Sequence, residues 1–342
     1  MRKLLVLVSL VVMLFAALPV MAQEEPTLTI AEIVVASTEA EAPEFTVLLA
    51  AVAAADPIFL EVLSDPETYY TVFAPTDAAF VALLEALGVT AEELLANTEL
   101  LNTVLAYHVV PGIYDATTVV GFDGAYLGTI LPGYAVFISV EGESVFVNDS
   151  TVVAADVTAT NGIVHVIDAV LVPEAEEAMA EEPMATEEPM MEEPVSIAEI
   201  VVASTEAETP EFSVLLAAVG VADPLVLELL SGISGPFTVF APTDAAFVTL
   251  LGELGVTAEE LLGNTELVNT VLAYHVVPGS FTAEDFVSYL GEEESVLFAT
   301  VGGSVVSFNG TMINASTLVA TDIAASNGVV HVIDTVLVPA AE

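Results

Sequence analysis

The chain has 342 residues, room for about two domains of ordinary size. Asp and Glu number 50 against two basic residues, Arg2 and Lys3, yet hydrophobic residues make up 55%, which excludes a disordered acidic tail and allows a large core. Without cysteine there are no disulfides, thiolate nucleophiles or cysteine metal sites; without a permanent cation beyond residue 3, nucleic-acid binding and P-loop or arginine-finger chemistry are excluded as well.

In chain order, Arg2-Lys3, the apolar run from Leu4 to Leu18 and the small residues up to Ala22 predict a secretory signal over 1–22, cleaved near Ala22. Its roughly 15 apolar residues fall short of the roughly 20 that span a bilayer. No later stretch is longer. The expectation is an exported chain, extracellular or periplasmic, with no membrane span after cleavage. Its remaining residues contain no Lys or Arg, so trypsin-like proteases find no site even in the unfolded chain. Buried carboxyls must be satisfied by backbone N–H groups, hydroxyls or their own protons. Crowded carboxylates are expected to repel in the compact state, raising their pKa values on average. Stability from that source would be present at low pH, lost as pH rises through the raised values, and partly restored by salt.

Helical apolar spacing appears at Ala31–Val34 and from Phe45 to Ala55. Thr71-Val72-Phe73 reads as a strand ending at Pro75. Thr76 then caps a helix carrying Phe80, Leu83, Leu84 and Leu87. Thr90 with Glu93 forms a capping box, repeated at Thr257 with Glu260, and Thr98 caps a helix running through Tyr107 to the stop at Pro111-Gly112. Strands follow at Ala135–Val140, Ser144–Val147, Val152-Val153 and Ile163–Val172, with Asn161-Gly162 as a hairpin signal. Helices followed by an antiparallel sheet make an α+β unit.

That unit is written twice. Residues 30–52 and 197–219 differ only at Ala42/Thr209 and Thr46/Ser213. TVFAPTDAAF at 71–80 recurs at 238–247, NTVLAYHVVPG at 102–112 recurs at 269–279, and NGIVHVIDAVLVP at 161–173 recurs as NGVVHVIDTVLVP at 327–339. The offset falls from 167 to 166 at the last match, which reads as one residue lost. So long a period is a domain duplication. The expected division is 1–22 signal, 27–173 first domain, 174–194 linker and 195–340 second domain. The Glu-, Pro- and Met-rich linker reads as an extended spacer reaching up to about 65 Å.

The four histidines fall at repeated positions, His108 and His275 in AYHVVPG, His165 and His331 in HVID. No HExxH, convergent three-ligand pattern or GxSxG elbow is present, so no metal, cofactor or catalytic nucleophile is assigned. A histidine is expected to anchor the fold, as the only side-chain cation available to a nearby Asp. Asp77 and Asp244 sit at helix starts, and Asp156, Asp168, Asp322 and Asp334 flank strands, where carboxylates commonly close turns. Asn148, Asn309 and Asn314 head Asn-X-Ser/Thr triplets.

The three repeated motifs resemble those of the FAS1 (fasciclin I) family, in the same order in each copy and over nearly all of the chain after the leader. The resemblance implies two tandem FAS1 domains, each a β-wedge antiparallel sheet with packed helices, in a secreted or surface-attached adhesion module without catalytic activity. In animal members a Tyr-His pair is tied to receptor binding, which implies ligand-binding roles for Tyr107, His108, Tyr274 and His275, with a core role as the competing reading. The lack of Lys and Arg departs from animal relatives.

The expectation is therefore a secreted, non-enzymatic adhesion or matrix-binding protein whose partner is extracellular matrix, a cell-surface protein or a polysaccharide. Two rigid heads on one charged spacer would gain from effective concentration. The alternatives are an enzyme or accessory protein acting on an extracellular polymer through Asp/His acid and base, and an envelope-stability protein with no specific ligand.

Overall fold

A computed structural model describes residues 26–38, 44–173, 195–205, 211–223 and 235–339. The signal and the linker lie outside these residues. In the first copy, α1 (Ile30–Thr38), α2 (Thr46–Ala54) and α3 (Pro57–Ser64) precede β1 (Tyr70–Pro75). Then come α4 (Asp77–Leu87), α5 (Ala91–Ala96), α6 (Thr98–Tyr107), β2 (Val109–Pro111), α7 (Ala116–Val120), β3 (Ala125–Gly128), β4 (Ala135–Glu141), β5 (Ser144–Val147), β6 (Ser150–Ala159) and β7 (Gly162–Ile167). The second copy has α8 (Ile197–Thr205), α9 (Ser213–Val221), β8 (Phe237–Pro242), α10 (Asp244–Leu254), α11 (Ala258–Leu262), α12 (Thr265–Tyr274), β9 (Val276–Pro278) and α13 (Ala283–Leu290). Its strands end with β10 (Val296–Ala299), β11 (Val305–Phe308), β12 (Met312–Ile313), β13 (Ser316–Ala325) and β14 (Gly328–Ile333).

Local chemistry sets most boundaries. The Thr76 hydroxyl accepts from the Ala79 N–H to start α4, and Gly88, with φ of 69°, ends it in the left-handed region that L side chains disfavour. The capping boxes at Thr90/Glu93 and Thr257/Glu260 form as expected. The cap of α6 is Asn97, one residue before the expected Thr98: its side-chain oxygen accepts from the Leu100 N–H. α3, which has no counterpart among the expected elements, starts at Pro57 with the Asp56 side chain accepting from the Ile58 N–H. The β6–β7 hairpin pairs Ala159 with Gly162, so its two loop residues are Thr160 and Asn161 rather than Asn161-Gly162.

The sheet is mixed. Within each copy the pairs are antiparallel except that β1 runs parallel to β7 and β8 parallel to β14, which corrects the purely antiparallel expectation. The strand order β2-β1-β7-β6-β5-β4-β3 continues into β10-β11-β12-β13-β14-β8-β9, the two copies meeting at β3 and β10. In the first copy, α1, α2, α4, α5 and α6 bury Ile30, Val34, Leu48, Phe80, Leu94 and Leu101 on one side of β1 and β7. Phe73, Tyr107, Tyr114, Phe122 and Ile167 form a second core on the other side.

The single lost residue resolves into larger, compensating changes. Gly112 matches Gly279, but Gly128 at the end of β3 matches Ala299 at the end of β10, so the second copy gains four residues around α13. It gives up one in the next turn, where Thr129 and Thr300 make equivalent bonds to Tyr134 and Ser304. Four more go in the hairpin between Ala135/Val305 and Asn148/Asn314.

Candidate functional site

The Tyr-His pairs lie inside each copy. His108 follows α6 and is 3% exposed. Its Nδ1 donates to the Val104 carbonyl at 2.6 Å and its Nε2 accepts the Leu171 N–H at 2.9 Å. His275 repeats the arrangement with Val271 and Leu337. One ring nitrogen donates and the other accepts, so each imidazole is neutral. Burial pushes both pKa values down to about 4, against a smaller upward pull from the Val104 or Val271 carbonyl. The expected histidine cation beside an Asp is thus replaced by a neutral ring between two backbone groups. That ring ties the AYHVVPG segment to the segment after the last strand, giving a physical reason for the two motifs to occur together.

The Tyr107 hydroxyl donates to the Ala135 carbonyl at 3.0 Å and accepts from Asn148 Nδ2 at 3.0 Å. Tyr274 does the same with Val305 and Asn314. None of the four residues reaches solvent with a free polar atom; Tyr107 packs in the core around Phe73, whereas His108 borders Leu48, Leu101 and Leu105 of the other core. Two of the three glycosylation triplets therefore have their amide nitrogen committed to a tyrosine; Asn309 is exposed and uses its side-chain oxygen on the Met312 N–H.

His165 and His331 are also buried, stacked on Phe73 and Phe240 at 5.8 and 5.7 Å between ring centres. Nε2 of His165 donates to the Tyr114 carbonyl at 2.8 Å, while Nδ1 accepts the Asp156 N–H at 3.3 Å. His331 makes the matching bonds to Phe281 and Asp322, and burial lowers its pKa. All eight ring nitrogens of the four histidines are held by backbone groups, which removes the free nitrogen that acid–base work needs.

The aspartates serve neighbouring backbone. Asp77, the first residue of α4, accepts from the Thr46 hydroxyl and the Val47 N–H, so it caps α2; Asp244 caps α9 through the Val214 N–H. Asp156 and Asp322 sit at bulges with φ of 59° and 61° and accept from the Ala116 and Ala283 N–H groups that begin α7 and α13. Asp168 and Asp334 close onto Thr151 and Thr317.

The expected upward drift of carboxyl pKa values is contradicted wherever a carboxyl shift is resolved. Glu93 and Glu260 are lowered by the Thr90 and Thr257 N–H groups and hydroxyls, and Glu199 by those of Ser196. Asp115 is lowered mainly by the Thr118 hydroxyl, and Asp334 mainly by the Thr317 N–H. Local hydrogen bonds outweigh diffuse repulsion at these sites because they act at contact distance, whereas exposed like charges are separated by water.

Among the described residues no group of three His, Asp or Glu side chains converges as metal ligands. A wholly apolar cavity of ≈ 80 Å³ lies beside His108, bounded by Leu48, Phe80, Leu94, Leu101 and Leu105, and its lining offers no free polar group to orient a ligand. No single described helix is long and apolar enough to cross a membrane; α2 and α3 pass that test only together, across a 118° bend.

The Fasciclin domain family matches residues 43–173 and 208–339. Among curated relatives, protein sll1483 of Synechocystis is 45% identical over 38% of this chain and 67% of its own length. Immunogenic protein MPB70 of Mycobacterium bovis is 41% identical over 31% of this chain and 51% of its own, so the chain spans between half and two-thirds of these relatives. Human periostin is 25% identical over 80% of this chain and 28% of its own length. A solved FAS1 domain pair from the insect cell adhesion molecule Fasciclin I is 19% identical, covering 84% of this chain and 95% of that one with a TM-score of 0.34. With both copies matched over most of their length, and the matched motifs forming the helix–strand ties described above, this chain belongs to the Fasciclin domain family, as a tandem of two FAS1 domains.

Proposed function

We propose that the protein is an exported, non-enzymatic adhesion or surface-binding protein, using its two FAS1 domains to hold extracellular matrix, a cell-surface protein or a polysaccharide. The observation that carries this reading is the engagement of every histidine nitrogen by backbone groups, in a family member whose motif aspartates likewise serve backbone groups. Recognition then falls to the surface, and Tyr107, His108, Tyr274 and His275 act by holding the AYHVVPG segment and the final segment in place. The exported location rests on the 1–22 leader.

The test is a solid-phase panel of matrix proteins and polysaccharides, probed with the full chain after leader removal. Saturable retention on one class, with no fragment released, is expected. Release of cleaved polymer would instead favour the enzyme alternative.

A further inference from the structure

The two copies share a contact surface built by the stretch in which they differ. Tyr289, in the four-residue-longer α13 segment of the second copy, packs on Tyr126 of β3 with ring centres 4.7 Å apart. Its hydroxyl accepts the Ala135 N–H at 2.6 Å and donates to the Gly133 carbonyl at 3.2 Å, both in the first copy. The Gly133 N–H donates to the Ser280 carbonyl at 2.8 Å. Phe298 of β10 faces Tyr126 across the strand pairing, at 5.9 Å. The cores interlock as well: Ala299 of the second copy is buried in the first copy's cluster, and Ala135 of the first in the second's.

Gly128 is the most telling residue. A Cβ placed there would lie 1.9 Å from the Pro278 carbonyl oxygen and 2.7 Å from a Phe281 ring carbon, and all of its nearest neighbours belong to the second copy. Gly128 is an ordinary strand residue paired with Ala135, so nothing within its own domain demands a glycine. The equivalent residue in the second copy is Ala299.

We infer that the β3 face of the first domain is a docking surface for the α13–β10 face of the second, and that the chain works as one closed body with non-interchangeable halves. The occupant of each face is the other half of the same chain. Gly128 permits the approach, Tyr289 clasps it, and the linker spans a fixed pair in place of separating two independent heads. This inference does not depend on what the protein binds. A relative displacement of such domains is the default only where the interface is small and polar; here it is aromatic, hydrogen-bonded and continuous with both cores.

The experiment is small-angle scattering with calorimetry on the full chain after leader removal, comparing wild type, Gly128→Ala, Tyr289→Ala and the control Gly220→Ala, whose added carbon meets nothing within 4 Å. Wild type and control should share one compact radius of gyration and one thermal transition. Gly128→Ala and Tyr289→Ala should raise the radius by roughly a fifth and split the transition in two, with far-UV circular dichroism unchanged. A wild type already as extended as the variants, or both variants as compact as wild type, overturns the inference. So does unfolding of the first domain by Gly128→Ala, since that would give the glycine an internal role.

Discussion

At the scale of single residues, His108 and His275 satisfy a carbonyl behind them and an N–H far along the chain, in the neutral form. Replacing His108 by Ala leaves both buried groups without a partner and removes ring packing, so a loss of about 2–4 kcal/mol is expected in urea unfolding. A change below about 1 kcal/mol would contradict the tie. The same histidines set a pH dependence. Their folded pKa, about 4, lies below the ordinary 6.5, so the unfolded chain takes up protons first as pH falls. Their contribution is present above pH 6.5 and lost progressively towards pH 4, on the order of 3 kcal/mol for each site. Between pH 6.5 and 5 most carboxylates stay ionised, so a falling melting temperature in that window reports the histidines, whereas a flat or rising one contradicts their burial as neutral rings. Tyr114 makes a converse case. Among the described residues its hydroxyl is buried without a partner, and the second copy has Phe281 at the position that also donates its N–H to the strand threonine. Tyr114→Phe should therefore raise stability, by about 1 kcal/mol, in the same unfolding assay; a comparable loss would mean that the hydroxyl has a partner.

At the scale of elements, what was legible in the sequence was whatever short-range chemistry writes. Thr76, Thr90 with Glu93, and the alternating strands after Ala135 specify their elements through neighbours within a few residues. Thr90→Ala should cost about 1 kcal/mol by thermal melting, since the hydroxyl's bonds from the Glu93 N–H and to the Glu93 carboxylate are both lost while the Thr90 N–H keeps its own bond to that carboxylate. The parallel pairing of β1 with β7 was not legible, because a parallel partner lies far along the chain and leaves no local turn signal. Nor was the destination of Asp77, which begins α4 yet caps α2, or the position of the Tyr-His pair. A histidine between apolar neighbours suits a lined site and a core equally until its two backbone partners are known. The Asn97 cap was missed because Asn and Thr are adjacent and both cap well.

At the scale of the whole molecule, duplication and family could be read from three motifs, but the relation between the copies could not. The sequence suggests independent heads on a charged spacer, since the contact is made by the segment that diverged most, around α13, and by one glycine whose neighbours are all in the other copy. A docked pair offers its remaining surface as one fixed array, so any gain from two copies comes from geometry held constant rather than from a flexible tether. The apolar cavity and the buried histidines are internal to that array and offer no reacting group to a polymer outside. The most direct measurement is mass on a polymer- or matrix-coated sensor as the full chain flows over it. On the coating it recognises, the mass should rise to a saturable plateau and return to its starting value on washing. A coating whose mass falls below its starting value, through loss of polymer suppressed by His165→Ala with His331→Ala in a chain that stays folded, would contradict the account.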